Sequence, residues 1–128
     1  MDVKLNLIIA WTWILLGFAG GTVLGLFFHQ ETWLGGYTTF KRRLYRLAHI
    51  SCFGLGTANL LFAVTTRNWL GHSCLTGFAS CAFVLGAVTM PLCCVTTAHF
   101  PKARALFAVP VVNLLAGGVL VLIQVINL

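Results

Sequence analysis

The sequence predicts an all-α integral membrane protein of four antiparallel transmembrane helices with both termini on one side. Three observations carry that prediction. Hydrophobic residues make up 59% of the 128 residues and charged residues only 8%, against roughly 25% charged in a soluble domain. So few charges cannot cover a water-facing surface. Four apolar runs occur, about Leu5 to Phe28, Leu47 to Thr66, Ser73 to Ala98 and Ala105 to Ile126, and each is long enough for the roughly 20 residues that a helix needs to cross about 30 Å of hydrocarbon. The connections are short, which makes sequence neighbours antiparallel and leaves no room for a soluble domain. Residues 1–128 therefore read as one four-helix transmembrane domain. Helices are required because lipid offers the backbone no hydrogen-bond partner.

Charge gives the orientation. Eight Lys and Arg oppose Asp2 and Glu31, a net charge of +6. In a soluble chain this balance would suggest nucleic acid. Here the basic residues fall in short connections, where they report orientation and contact with anionic headgroups, so the lipid bilayer is the expected partner and nucleic acid is not. Lys41, Arg42, Arg43 and Arg46 lie between the first two runs and Lys102 and Arg104 between the last two, which puts six of eight basic residues on one side. The other side has Lys4 and Arg67. The positive-inside rule makes the first side cytoplasmic (or matrix) and places both termini outside, in a bacterial cytoplasmic membrane or an organelle inner membrane. Trp33, Tyr37 and Tyr45 are expected at the basic boundary, and Trp11, Trp13 and Trp69 at the other. Small residues at Phe18-Ala19-Gly20-Gly21 suit signal cleavage, but apolar character continues to Phe28, so the segment is expected to be retained.

Each run has a face suited to packing. Gly17, Gly21 and Gly25 recur at steps of four on the first helix, allowing close backbone approach within the bundle or to other membrane subunits. The same step leads on to His29. The second helix carries His49, Cys52, Gly56, Asn59 and Ala63 on one stripe, with Asn59 expected to bond across to a neighbour. The third has Gly77, Ser80, Cys81 and Ala87, then Pro91, which removes one helical hydrogen bond and should kink the chain. The fourth has Asn113, Gly117 and Gln124 on one side, while Pro110 marks a kink or a late start.

Candidates for chemistry are few. Five cysteines, Cys52, Cys74, Cys81, Cys93 and Cys94, give no disulfide framework and read as small buried hydrophobes. A soft copper site from Met90, Cys94 and His99 is a minor alternative. The sequence has no phosphate-binding loop, nucleophile elbow or HExxH pattern. No carboxylate lies inside a run, which argues against a proton-coupled or sodium-coupled carrier.

That leaves the histidines. His29, His49 and His99 end their runs on the basic side, His49 three residues after Arg46 and His99 three before Lys102, so His49 and His99 are expected at equal depth. Two imidazoles facing across a bundle would ligate heme b, with His29 as a substitute and Arg43, Arg46 and Lys102 on the propionates. The small stripe below His49 would leave room for the porphyrin against Phe53 or Phe100. A non-heme metal held by His29, Glu31, His49 and His99 is an alternative, and so are histidines that simply favour the interface. His72 is on the opposite side and is read as structural. The resulting expectation is a small non-catalytic subunit of a multisubunit membrane complex, respiratory or otherwise electron-transferring, docked through its glycine faces. The alternatives are a homo-oligomeric channel or small-solute permease lined by Asn59, Asn113 and Gln124, and a metal-dependent membrane enzyme or assembly factor.

Overall fold

Four helices long and apolar enough to span a membrane make up the computed structural model, which describes residues 3–128. They are α1 (Lys4–Leu26), α2 (Phe40–Thr65), α3 (Cys74–His99) and α4 (Ala108–Ile126). Side chains cap the N-termini of two of them: the Thr39 hydroxyl accepts from the Arg42 N–H and the Ser73 hydroxyl from the Thr76 N–H. A π-helical turn, Thr66–Leu70, closes α2 and ends at Gly71, whose φ of 65° is left-handed. A 3-10 stretch, Pro101–Phe107, leads into α4. Pro110 lies in the first turn of α4, where a missing N–H costs nothing, so it marks a late start.

One boundary departs from the expectation. α2 begins at Phe40, not Leu47, so Lys41, Arg42, Arg43 and Arg46 form its first two turns instead of a loop. Lys and Arg are good helix formers and Thr39 supplies the cap, whereas hydropathy registers only their charge. From Phe40 to Leu70 the helical segment has 31 residues and so runs about 46 Å. That exceeds about 30 Å of hydrocarbon, and leaves the basic turns at headgroup level.

Contacts between neighbours run in opposite senses, which makes the helices antiparallel. Early α1 meets late α2 (Asn6 with Asn59) and late α1 meets early α2 (Gly21 with His49). The same holds for α2 with α3 (Asn59 with Phe83, Tyr45 with His99) and for α3 with α4 (Thr76 with Gln124, Gly86 with Leu114). Both described termini lie at the end opposite the cluster of six basic residues, Lys41, Arg42, Arg43, Arg46, Lys102 and Arg104. The helices are arranged as an open array: α2 packs on α1 and α3, and α4 packs on α3 and its own lead-in. α1 and α3 touch more lightly.

Three kinds of contact fix the array. At the non-basic end the Asn6 amide donates to Asn59 Oδ1 (2.9 Å), and the Ser80 hydroxyl donates to Asn6 Oδ1 (2.5 Å). Asn6, Asn59 and Ser80 are 0, 0 and 1% exposed and come from three helices. Close backbone approach comes next: a Cβ on Gly56 would lie 3.0 Å from the Ala10 carbonyl oxygen of α1. Leu114 of α4 fills the space that a side chain on Gly86 would need.

The third contact concerns Pro91. Its ring leaves the Ala87 carbonyl, four residues earlier, without a helical donor. The indole N–H of Trp13 on α1 donates to that carbonyl at 2.9 Å. Trp13 is thus a helix-packing residue well inside α1 and not a boundary aromatic. α3 continues through Pro91 to His99.

Two substitutions test this pairing. Trp13→Phe leaves the Ala87 carbonyl bare in an apolar setting, at an expected cost of about 1–3 kcal/mol. Adding Pro91→Ala returns a backbone N–H to that carbonyl, so the double variant should recover most of the loss. Unfolding in detergent followed by circular dichroism checks it. Strictly additive effects would sink the assignment.

Candidate functional site

The basic end is organised by Arg42. It is 3% exposed, and its guanidinium donates to the carbonyl oxygens of Phe28 and Gln30, both at 3.2 Å. The rings of Phe28, Trp33 and Tyr37 surround it at 5.9, 5.6 and 5.2 Å. A planar, delocalised cation suits this setting because it forks to two acceptors and lies against aromatic faces. Around it the α1–α2 connection folds back on itself: Phe27 stacks on Trp33, and Leu34, Gly35 and Gly36 turn sharply with φ of 55, 85 and 111°. The Thr39 hydroxyl closes the turn, within 2.9 and 2.8 Å of the Leu34 and Gly36 carbonyls. Arg46 stacks on Tyr37 at 4.5 Å.

Two turns of α2 deeper lies His49. Its ring fills a notch on α1: a Cβ on Gly21 would stand 2.8 Å from His49 Cε1 and 3.3 Å from Nε2, and one on Gly20 3.7 Å from Nδ1. Phe53, one turn further, meets the His49 ring edge-on at 5.3 Å and occupies the equivalent space at Gly17. His49 Nδ1 is buried and has no hydrogen-bond partner. The imidazole also forms part of an apolar crevice of about 320 Å³ between α1, α2 and Pro91 of α3, with Trp33 and Tyr45 at its basic end.

The remaining predicted site residues are dispersed. His99 ends α3, is exposed, and its Nε2 lies 2.9 Å from the Tyr45 hydroxyl. His99 is thus level with Tyr45, one turn of α2 above His49, which places the two histidines about 6 Å apart in depth. Equal depth was expected because Arg46 was taken as the edge of α2, and the extra helical turns remove that reference point. His29 and Glu31 are exposed and share a recess of about 600 Å³ with Phe28, Tyr37 and Arg42. Arg43 and Lys102 are exposed.

These positions bear on each expected site. A bis-histidine heme b needs two free imidazole nitrogens facing one gap. Here His99 Nε2 lies 2.9 Å from the Tyr45 hydroxyl and the His49 ring lies against Gly20 and Gly21, so the two imidazoles are engaged in separate contacts. Among the described residues no three His, Cys, Asp or Glu side chains gather closely enough to hold a metal ion, so the set His29/Glu31/His49/His99 is not assembled; of the alternative copper set, Cys94 is fully buried and His99 is exposed. The polar path does not converge either. Asn59 is enclosed by Asn6, Leu55 and Phe83, Gln124 accepts from Thr76, and Asn113 donates to Val109 on its own helix.

The glycine face is mostly used within the chain. Gly17 and Gly21 receive Phe53 and His49 of α2, and only Gly25 has open space around it. Sequence reasoning missed Asn6, whose place inside an apolar run is the same signal that singled out Asn59. It also took Arg42 as one more interfacial cation, because burial of a guanidinium against two carbonyls has no sequence signature. No protein-family model, curated protein or solved structure matches this chain.

Arg42→Lys keeps the charge but cannot fork to two carbonyls while lying flat on the rings. Limited proteolysis of the purified protein should then cut residues 27–39 several times faster than in the parent, with the spans intact. Equal cleavage rates would show that Arg42 does not hold the connection.

Proposed function

We propose that the chain is a small non-catalytic subunit of a larger membrane assembly, with the α4 side of the array as its docking edge. The observation that carries this reading is the use made of polar side chains within the spans. Asn6, Asn59 and Ser80 bond to one another, Trp13 serves Ala87, and Thr76 serves Gln124. They tie helices together within the chain, which supports a packing role for these side chains over a polar path through the bundle. The open array adds support. Among the spans α4 packs chiefly on α3, and Val112, Leu115, Val119 and Leu122 are 54–64% exposed along its outer side. The six basic residues at one end favour the cytoplasmic side for that end.

An electron-transfer role through heme b gains nothing from the placement of His49 and His99, so the reading is confined to a structural subunit. Two measurements test it. Extraction from the native membrane in mild detergent should yield the chain in a particle well above its own 13.9 kDa with defined companions; a stable, unaccompanied monomer would contradict the proposal. The purified chain should show no b-type bands in a reduced-minus-oxidised spectrum. Bands lost on His49→Ala or His99→Ala would restore the heme reading. Solute flux by the purified chain in liposomes would favour the permease instead.

A further inference from the structure

A recess at the non-basic end carries an inference that goes beyond the subunit reading and does not depend on it. Six of the eight Lys and Arg cluster at the opposite end, and the two that do not are Lys4 and Arg67. They are far apart in sequence, yet both border one recess of about 400 Å³ between the start of α1 and the end of α2, together with His72. All three residues are exposed.

Folding brings them there in two steps. The bond between Asn6 and Asn59 sets the first turns of α1 against the last turns of α2, which carries Lys4 to the recess. Beyond Thr65 the chain makes its π-helical turn, closed by the Gly71 N–H on the Thr66 carbonyl at 2.9 Å. Such turns are rare and recur at functional sites. The left-handed φ of Gly71 is a reversal open to glycine, and the next residue, His72, comes back to the recess that Arg67 borders.

Charge selects the occupant. Arg67 and Lys4 are cations, and the imidazole adds a hydrogen-bond donor. Among the described residues no carboxylate borders the recess, and Glu31 lies at the other end of the bundle. An anion therefore finds partners here, and phosphate suits both the planar fork of Arg and the point charge of Lys. A zwitterionic headgroup is disfavoured because its ammonium would meet only cations, and a neutral occupant would leave the cations without a counter-charge. One turn deeper the walls are Leu7, Ala63 and Val64. Val64 is 43% exposed, so the recess is open on its bilayer side. A free anion would leave these apolar walls bare, whereas a lipid chain covers them.

We propose that this recess binds an anionic phospholipid, its phosphate held by Lys4, Arg67 and His72 and one acyl chain laid along Leu7, Ala63 and Val64.

The test uses the purified chain in phosphatidylcholine nanodiscs that carry a small share of phosphatidylglycerol with a diazirine near the carboxyl end of one acyl chain. Cross-links mapped by mass spectrometry should fall on residues 3–7 and 63–67, and excess unlabelled phosphatidylglycerol should suppress them. Phosphatidylethanolamine should not, and neither should glycerol phosphate, which has the anion without the chains. Lys4→Gln and Arg67→Gln should each weaken the competition about fivefold, and together about thirtyfold, at about 1 kcal/mol per cation. Arg67→Lys, which keeps the charge, should retain most of the binding. If the double variant does not fold, the single variants decide. Labelling absent from these residues, or not suppressed by excess phosphatidylglycerol, would overturn the proposal. So would equal suppression by phosphatidylethanolamine or glycerol phosphate, or competition that the Gln variants leave unchanged.

Discussion

The hydrogen bonds joining Asn6, Asn59 and Ser80 are the interaction on which the rest of this structure depends. Hydrocarbon gives a buried amide nothing to bond to, so each of these groups has to be met by another. Asn6 meets Asn59 and Ser80 at once, which fixes α1, α2 and α3 in both height and rotation. Register follows from that point. With Asn6 opposite Asn59, Gly56 falls against Ala10, Phe53 against Gly17 and His49 against Gly21. A shift of one residue would turn each helix face by about 100° and bring side chains where glycines now admit them.

The same register explains Pro91. The carbonyl that the proline frees at Ala87 faces α1 at the height of Trp13, and the indole N–H takes it up. Toward the basic end the fixed helices set the frame for Arg42, whose two carbonyl partners lie in the α1–α2 connection. A guanidinium there ties the connection to α2, beside the Phe27–Trp33 stack and the Thr39 hydroxyl that close it on itself.

Much of the architecture was legible in the sequence. Four apolar runs correspond to four spans, and Asn59 was recognisable as an amide that bonds across to a neighbouring helix because hydrocarbon offers it no partner. What failed was the reading of α2. Its first two turns carry four cations, and hydropathy cannot distinguish a charged loop from a charged helix end. That error displaced the membrane edge and with it the relative depth of His49 and His99. The glycine steps on α1 correctly marked a packing face, but spacing alone does not say who packs there. It is α2 of the same chain that occupies Gly17 and Gly21. The hydrogen bond between Trp13 and Ala87 was out of reach for a further reason, since it depends on a crossing of α1 and α3 that no local pattern encodes.

A double-mutant cycle on Asn6 and Asn59 tests the central claim most directly. Asn6→Leu, Asn59→Leu and the pair are compared by unfolding in detergent. The account predicts a coupling between about 0.6 and 1.7 kcal/mol, from the average to the largest found for hydrogen bonds between membrane helices, because each single variant strands the other amide. Effects that simply add would show that the two amides do not act together and that the register is set elsewhere.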